Sequence, residues 1–420
     1  MLSTVQRYRE EVSKFKDPRM KKEGEPDIQY PTGFLTLDFA NGCIMSVKPQ
    51  DGRPPFSYVS LGITDGACME ILGRPGCGKT TLSIQIAARI TERFEGSSIY
   101  HDDIEGGTND IRKKVLTGWD NDTMQAKYRY RNSGITVENF YQSIKALHDV
   151  KLANYDEMSY DTGLYDTYGN KITKLIPDIY FLDSVPMLIP DKLTEEEELS
   201  GSMSATAAAK TNTLTLKRVI PMLKATNIIL IAINHINDDV SFMPKKPDMA
   251  WLKQGETLPG GRIWKYTPNL IIRMDENTKL SEDKDLGING IIVDAMICKS
   301  RTGRAGRICT LVFDYEHGFD ADLSLFVAMR SAKVINQSGA YLSLDGYDKK
   351  FYQKDFKDKL ENDPEFAEAF SRAATKYLRS ILNSDDQLAE ESAKSRKASI
   401  SIINMLNAEI MNESVIQDAA

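Results

Sequence analysis

Apolar runs followed by stretches with helical spacing recur through residues 60–235. The runs with the length and apolar character of buried strands are residues 68–72, 97–101, 178–182 and 227–234. The stretch after the first run places Leu82, Ile86 and Ile90 on one helical face, and residues 135–153 also have a helical pattern. This alternation predicts an α/β fold around a central, mostly parallel sheet.

The rest of the chain has other patterns. Further strands are predicted at residues 269–274, 290–299 and 307–313, the last two joined as a hairpin. Residues 1–16 form a predicted amphipathic helix that either packs on its own domain or docks on a neighbouring subunit. We divide the chain into an N-terminal oligomerisation helix and linker (1–30), a core (31–322), a small C-terminal α+β domain (323–382) and a flexible tail with a possible short helix (383–420).

Two segments within the predicted core have the composition of insertions. Residues 48–60 are rich in Pro and Gly and are predicted to form a surface loop. Residues 155–175 are rich in Tyr and Gly, with a hairpin turn predicted at residues 168–171. The sequence assigns neither a role.

Composition narrows the class of protein. Of the 420 residues, 41% are hydrophobic and 27% are charged, which is ordinary for a soluble globular protein, and no apolar run is long enough to span a bilayer. The five cysteines form no C-x-x-C pair, which argues against zinc and disulfides and favours a reducing cytoplasm. A net charge of −7 does not favour nucleic acid as a partner, so any such binding depends on local basic clusters.

A phosphate-loop motif follows the first buried strand. It fits G-x-x-x-x-G-K-T and consists of Gly73, Arg74, Pro75, Gly76, Cys77, Gly78, Lys79 and Thr80, with Thr81 next in the helix. Backbone N–H groups of such a loop, with the helix dipole, bind a triphosphate. Lys79 is expected to reach the β- and γ-phosphates, and the Thr80 hydroxyl to ligate Mg²⁺. The motif therefore predicts ATP, or another nucleoside triphosphate, and Mg²⁺ as cofactors.

Polar residues follow three other predicted strands. Asp183 ends one of them and is expected to complete the Mg²⁺ shell. Glu105 follows a second strand, where an acidic segment either faces the nucleotide or forms a solvated turn. His235 ends a third and is either a packing residue or a sensor of the γ-phosphate.

Two polar stretches and one basic cluster are candidates for nucleic-acid contacts. Residues 194–204 and 237–261 are predicted to be irregular loops. The second loop interleaves apolar and basic side chains, as suits single-stranded nucleic acid, although a mobile charged loop explains the same composition. Its candidate contacts are Phe242, Met243, Lys245, Lys246, Gly260, Gly261 and Arg262. The basic cluster is Lys299, Arg301, Arg304 and Arg307, which either binds phosphate or protects a hairpin edge.

In this order, the motifs resemble the RecA family of DNA recombinases, most closely the phage UvsX-type branch. Residues 32–42 are similar to the family's T-G-x-x-x-L-D-x-A-x-G entry segment. Residues 182–185 are similar to its V-D-S-V strand, and residues 233–236 stand where bacterial members have I-N-Q-I. Residues 103–105 resemble the segment with the catalytic glutamate, and residues 299–301 the paired basic residues that reach the neighbour's ATP.

The resemblance implies a RecA-like P-loop ATPase core and a DNA-dependent ATPase that acts as a strand-exchange recombinase. It implies a helical filament on single-stranded DNA, a homologous duplex as second partner, and mediator or single-strand-binding proteins as further partners. It assigns Glu105, Lys79, His235, Lys299 and Arg301 to catalysis. It adds Met203, Val240 and Lys210 to the DNA contacts. It implies no membrane partner and, for a phage protein, the cytoplasm of a bacterial host.

Two other classes of protein share this core. One is a hexameric RecA-fold helicase or translocase, against which the short N-terminal segment and the C-terminal similarity argue. The other is an ATP-gated DNA-binding filament protein that does not hydrolyse ATP, against which Lys79 and Glu105 argue. Electron microscopy separates rings from filaments, and hydrolysis separates the enzyme from the non-enzyme.

Overall fold

The three-dimensional structure is a computed structural model. It describes residues 27–49, 52–166, 170–194, 201–239, 246–282 and 285–384, together with 387, 389–394, 396–397 and 400–405. For residues 201–208 and 383–384 only the backbone is described. The predicted helix at residues 1–16 lies outside the described residues.

A nine-stranded sheet forms the centre of the protein. In spatial order its strands are β17 (Gly318–Asp320), β16 (Ile308–Asp314), β15 (Gly290–Ser300), β14 (Leu270–Leu280), β5 (Cys68–Gly73), β11 (Ile228–His235), β10 (Asp178–Asp183), β6 (Ile99–Asp103) and β7 (Tyr128–Arg131). The strands from β14 to β7 are parallel, and β15, β16 and β17 are antiparallel to their neighbours. The predicted α/β fold with a mostly parallel sheet is confirmed.

Short strands form separate small sheets. They are β1 (Gln29–Tyr30) with β4 (Ile63–Thr64), β2 (Cys43–Val47) with β3 (Phe56–Ser60) and β21 (Asn383–Ser384), β8 (Ser159–Tyr165) with β9 (Lys171–Leu175), β12 (Asn237–Asp238) with β13 (Glu256–Thr257), and β18 (Ile335–Ser338), β19 (Tyr341–Leu344) and β20 (Tyr347–Tyr352). The hairpin of β8 and β9 agrees with the turn predicted for that insertion.

Helices cover the central sheet and form much of the C-terminal part. The α-helices with continuous described backbones are α1 (Leu35–Ala40), α2 (Lys79–Thr91), α3 (Asp110–Thr117), α4 (Asn121–Lys127), α5 (Val137–Ala153), α6 (Asp191–Thr194), α7 (Gly201–Thr226), α8 (Arg262–Tyr266), α9 (Ala321–Ser331), α10 (Phe356–Asn362) and α11 (Pro364–Ile381). None of the helices among the described residues is long and apolar enough to cross a membrane.

The central strands are apolar on both faces because each face has its own core. Along β11, Ile229 and Ile231 contribute to the core that contains α2, whereas Ile228 and Leu230 contribute to the core that contains α5 and α7. Successive side chains of a strand point to opposite faces, so a strand between two layers of helices has no exposed side. This arrangement explains why the sequence shows continuous apolar runs rather than alternation.

A third core joins the C-terminal part to the edge of the central sheet. Phe366 and Phe370 of α11 are buried there together with Phe356 and with Val312 of β16. Phe366, Phe370 and Leu378 thus lie on the buried face of α11. The shared core means that α9 and α11 pack directly against the central sheet.

Two segments differ from the loops that the sequence predicts. Residues 56–60, expected in a surface loop, form β3, whose side chains alternate between partly buried and exposed until Ser60. The Pro- and Gly-rich residues just before them hide this short alternation. Residues 201–204, expected in a loop, form the first turn of α7. The alanine-rich sequence that follows, residues 205–209, favours extension of the helix in the N-terminal direction.

A buried ion pair links α5 to β10. The Lys151 amine contacts the Asp178 carboxylate, and the two side chains are 0% and 2% exposed. Lys151 also donates to the Ile176 carbonyl oxygen at 2.7 Å, and Asp178 accepts from the Ser98 N–H at 2.8 Å. Each member of the pair therefore has a second hydrogen-bond partner, which offsets part of the cost of burying its charge.

Lys151→Met leaves the Asp178 carboxylate buried without its cation, and we expect a loss of about 3–5 kcal/mol of unfolding free energy. Urea denaturation measures this. Lys145→Met, which removes the exposed partner of Asp149 from the same helix, is the matched control and should have a much smaller effect, because solvent screens an exposed pair. Equal effects of the two substitutions would contradict the burial of the Lys151 pair.

Candidate nucleotide site

Parallel pairing brings the carboxyl ends of β5, β11, β10 and β6 to one edge of the central sheet. Leu72 is paired with Asn234, and Asp183 with Asp103. The phosphate loop, His235, Asp183 and Glu105 all follow from strand ends at this edge. Open parallel sheets bind ligands in this position.

The phosphate loop joins β5 to α2 through two glycines in left-handed conformations. Gly76 has φ 84° and Gly78 has φ 83°. A side chain at Gly78 would also meet the Phe319 ring, because a Cβ there would lie 2.8 Å from it. Gly78 is therefore required both by its backbone conformation and by the space beside it.

Lys79 and Thr80 begin α2 and point to different parts of the site. The Lys79 amine donates hydrogen bonds to the carbonyl oxygens of Gly73 and Arg74, at 3.1 Å and 2.9 Å. Lys79 is 6% exposed, so its charge lies within the loop rather than in solvent. An ammonium held over the loop can transfer its hydrogen bonds to phosphate oxygens.

Thr80 and Asp183 form the pair of oxygen donors that suits a divalent cation. The Thr80 hydroxyl donates to Asp183 Oδ2 at 2.6 Å. Burial, with smaller contributions from the Glu105 and Asp103 carboxylates, raises the pKa of Asp183 to about 7. Both effects disfavour the charged carboxylate, and a cation bound beside Asp183 would stabilise that carboxylate. Hard oxygen donors of this kind fit Mg²⁺.

Glu105 is held between two side chains. Its Oε1 accepts a hydrogen bond from the Ser184 hydroxyl at 2.5 Å and lies 2.7 Å from His235 Nε2. The sequence did not single out Ser184 for a role; its position directly after Asp183, at the end of β10, is the only signal for it. Glu105 therefore lies in an exposed bend, with its side chain 40% accessible, and its carboxylate is oriented by these two contacts.

These residues line one cleft. Its volume is about 320 Å³, and the functional side chains on its wall are Lys79, Thr80, Glu105, Asp183 and His235. The sequence proposed all of them. The apolar part of the wall comes from Ile233 and Phe313. The arrangement can hold phosphate groups beside a base and a cation-binding pair.

Lys299 and Arg301 do not line this cleft. Lys299 is paired with Ile271 of β14, which in turn is paired with Glu70 of β5. They therefore lie toward the amino ends of the parallel strands, away from the phosphate loop. The Lys299 amine donates to the Tyr266 carbonyl oxygen, and Arg301 is exposed. Within one chain, neither is placed at the nucleotide.

The loop at residues 237–261 is tied to the core at its described ends. Arg74 of the phosphate loop forms a two-pronged ion pair with Asp238, with N–O distances of 2.6 Å and 3.2 Å. At the other end Arg273, 1% exposed, donates to both oxygens of Glu256 and to the Trp251 carbonyl oxygen. No sequence pattern indicates the Arg273 network beyond an arginine inside an apolar strand.

The structure places the proposed DNA contacts in different settings. Lys210, Lys246 and Arg262 are exposed. The backbone of Met203 lies in α7, but its side chain lies outside the described residues, as do Val240, Phe242, Met243 and Lys245.

Gly260 and Gly261 have clear structural reasons to be glycines. Both have left-handed backbones, and a Cβ at Gly260 would lie 2.5 Å from the Val185 side chain. Gly261 is the residue before α8. Their close packing accounts for these glycines without a ligand.

The buried side-chain amide of Asn234 connects β5, the strand before the phosphate loop, to the end of the loop at residues 237–261. The Asn234 amide donates to Glu70 Oε1 at 2.8 Å and to the Pro259 carbonyl oxygen at 3.2 Å. Its oxygen accepts from the His235 N–H at 2.9 Å. Burial raises the pKa of Glu70 to about 8, and its Oε2 has no hydrogen-bond partner among the described residues.

The strand order and the phosphate-loop geometry define a RecA-like α/β core. No family model matches the chain. The chain is similar over most of its length to proteins named RecA. The protein from Clostridium perfringens (strain 13) is 22% identical over 333 residues, which cover 75% of this chain and 80% of that protein. The RecA protein from Aquifex aeolicus is 24% identical over a region that covers 74% of this chain and 73% of that protein. The RecA protein from Thermotoga petrophila is 22% identical over 89% of this chain and 90% of that protein. These similarities support the RecA family.

Glu70 should make stability depend on pH. Because its pKa is raised on folding, its protonated form contributes stability that is present below its ordinary pKa and is lost as the pH rises through about 8. We expect the unfolding free energy of the wild type to fall by up to about 1.4 kcal/mol per pH unit within this window. Glu70→Gln, which cannot ionise, should remove the Glu70 contribution and make the slope shallower, whereas the contribution of Asp183, whose pKa is also raised, should remain. Denaturant unfolding at pH 5, 6, 7 and 8 measures it; parallel slopes would show that Glu70 does not titrate there.

Proposed function

We propose that the chain is a DNA-dependent ATPase of the RecA family, a recombinase that forms a filament on single-stranded DNA and catalyses homologous pairing and strand exchange. The observation that carries the proposal is the convergence of Lys79, Thr80, Asp183, Glu105 and His235 on one cleft. The similarity to RecA proteins over most of the chain gives the class of reaction. The histidine at position 235 favours the phage UvsX-type branch.

In the proposed reaction, the loop N–H groups and Lys79 bind the phosphates of ATP. Glu105 accepts the proton of a water molecule whose oxygen attacks the γ-phosphorus, and the bond from that phosphorus to the ADP oxygen breaks. Ser184 and His235 hold the Glu105 carboxylate in place. Mg²⁺, held by Thr80 and Asp183, would neutralise charge on the phosphates.

His235 is the proposed link between nucleotide and DNA. It contacts Glu105 and immediately precedes the segment that begins the loop at 237–261. Asp238 in that segment is paired with Arg74 of the phosphate loop. A change at the γ-phosphate can therefore alter the loop in two ways, through the contact of Glu105 with His235 and through the pair of Arg74 with Asp238. Lys210, Lys246 and Arg262 are exposed for contacts with DNA phosphates.

Hydrolysis by the full chain with and without single-stranded DNA tests the proposal. We expect DNA to stimulate the wild type strongly, and Lys79→Ala and Glu105→Gln each to lower kcat by about 100-fold or more, because each removes a group that acts on the transition state. Glu95→Gln, at an exposed site outside the cleft, is the matched control and should behave as wild type. Hydrolysis that is indifferent to DNA would reject the recombinase and leave a nucleotide hydrolase of another kind.

Lys299 and Arg301 are proposed to act on the nucleotide of a neighbouring subunit, since their own chain places them away from it. Lys79→Ala and Arg301→Ala should each be inactive alone. When the two variants are mixed in equal amounts on DNA, about one subunit junction in four should be active. At such a junction, the intact phosphate loop of an Arg301→Ala subunit meets the intact Arg301 of a Lys79→Ala subunit. Lys79→Ala mixed with Glu105→Gln is the control, because both defects lie in the same chain's cleft. No recovery in the first mixture would exclude action in trans.

A further inference from the structure

A second cleft lies on another side of the molecule, between the central sheet and the C-terminal helices. Its volume is about 500 Å³, within the range of small-molecule sites. Its wall is formed by the turn between β15 and β16, by α1, and by α9 and α11. It shares no lining residue with the nucleotide cleft.

Two arginines give this cleft its charge. Arg304 and Arg307 both line it. Burial and the neighbouring charge of Arg304 lower the pKa of Arg307. Within the part of the chain that the structure describes, neither guanidinium pairs with a carboxylate; Arg307 donates only to the carbonyl oxygens of Phe39 and Ala40, at 3.4 Å and 3.1 Å. Two adjacent cations without an anion are a site of excess positive potential.

A buried hydroxyl on the same wall also needs a partner. Thr36 is 5% exposed, and its Oγ1 has no hydrogen-bond partner among the described residues. An unsatisfied buried hydroxyl costs about 1–3 kcal/mol. Thr36 lines the cleft, so a ligand bound there would offer this hydroxyl an oxygen acceptor.

A third polar group stands on the opposite wall. Tyr377 of α11 lines the cleft and is partly buried, and its hydroxyl makes no hydrogen bond within the described ranges. The cleft therefore combines two guanidinium groups with hydroxyl donors on facing elements. Guanidinium forks match the oxygens of a phosphate in both geometry and charge.

We infer that this cleft binds a phosphate group, with Arg304 and Arg307 as its cationic partners and Thr36 and Tyr377 as hydroxyl donors. The phosphate comes either from a small phosphate ester or from a nucleic-acid backbone. A ligand here would touch the turn that follows Lys299 and Arg301 and the helix α11 at once. The inference rests on this cleft alone and does not require the proposed recombinase function.

Calorimetric titration of the full chain tests the site. The phosphate loop is first saturated with Mg²⁺ and an unhydrolysable ATP analogue, and ribose 5-phosphate is then added as the probe. We expect binding that Arg304→Ala weakens about tenfold or more and that Thr36→Val weakens about threefold, through loss of a charged and a neutral hydrogen bond. Arg379→Ala, an exposed arginine on α11 that does not line the cleft, should bind as wild type.

Thr36→Val removes a buried hydroxyl that has no described partner, so this variant should be at least as thermally stable as the wild type and separates ligand contact from folding. Absence of ribose 5-phosphate binding, equal binding of uncharged ribose, or unchanged affinity in Arg304→Ala would each overturn the inference.

The source of the phosphate is found by competition. Displacement of the probe by a single-stranded oligonucleotide assigns the site to a nucleic-acid backbone, and retention of the probe assigns it to a small phosphate ester.

Discussion

The parallel pairing of β5, β11, β10 and β6 is the constraint on which the candidate site depends. Each strand contributes one functional group where it ends, and the register decides that these ends coincide. A shift of one residue in β10 would move Asp183 to the other face of the sheet and away from Thr80. The apolar runs that specify the two cores therefore also fix the distances between polar side chains that are far apart in the sequence.

Polar contacts behind this edge connect it to the loop at residues 237–261. Arg74 pairs with Asp238 at the start of the loop, and Asn234 holds the Pro259 carbonyl oxygen near its end. The Arg74 pair is exposed, with side chains 52% and 65% accessible, so solvent screens it and its contribution to stability is small. A weak tie of this kind can be made and broken without unfolding the core. The buried Arg273–Glu256 pair is a fixed anchor by comparison.

The end of β15 and the turn that joins it to β16 place two pairs of basic residues in different surroundings. Lys299 and Arg301 lie near the amino ends of the parallel strands, where a neighbouring molecule could approach them. Arg304 and Arg307 face the cleft against α11. A single basic cluster in the sequence is thus divided by the hairpin into two chemically distinct positions, because residues on opposite arms of a turn point to different neighbours.

The sequence by itself determined the α/β class, the phosphate loop and the strand-end positions of Asp183 and His235. Glycine spacing and the length of apolar runs depend only on residues close together in the chain, so they can be recognised from the sequence alone. Only the tertiary structure decided that Ser184 and His235 both hold Glu105, and that Glu70 meets Asn234. Those contacts join residues far apart in the chain, and hydrogen bonding between distant side chains leaves no period or spacing in the sequence. β3 was missed for another reason, the Pro- and Gly-rich residues just before it, and the separation of Arg304 from Arg301 depends on the elements that pack around the turn.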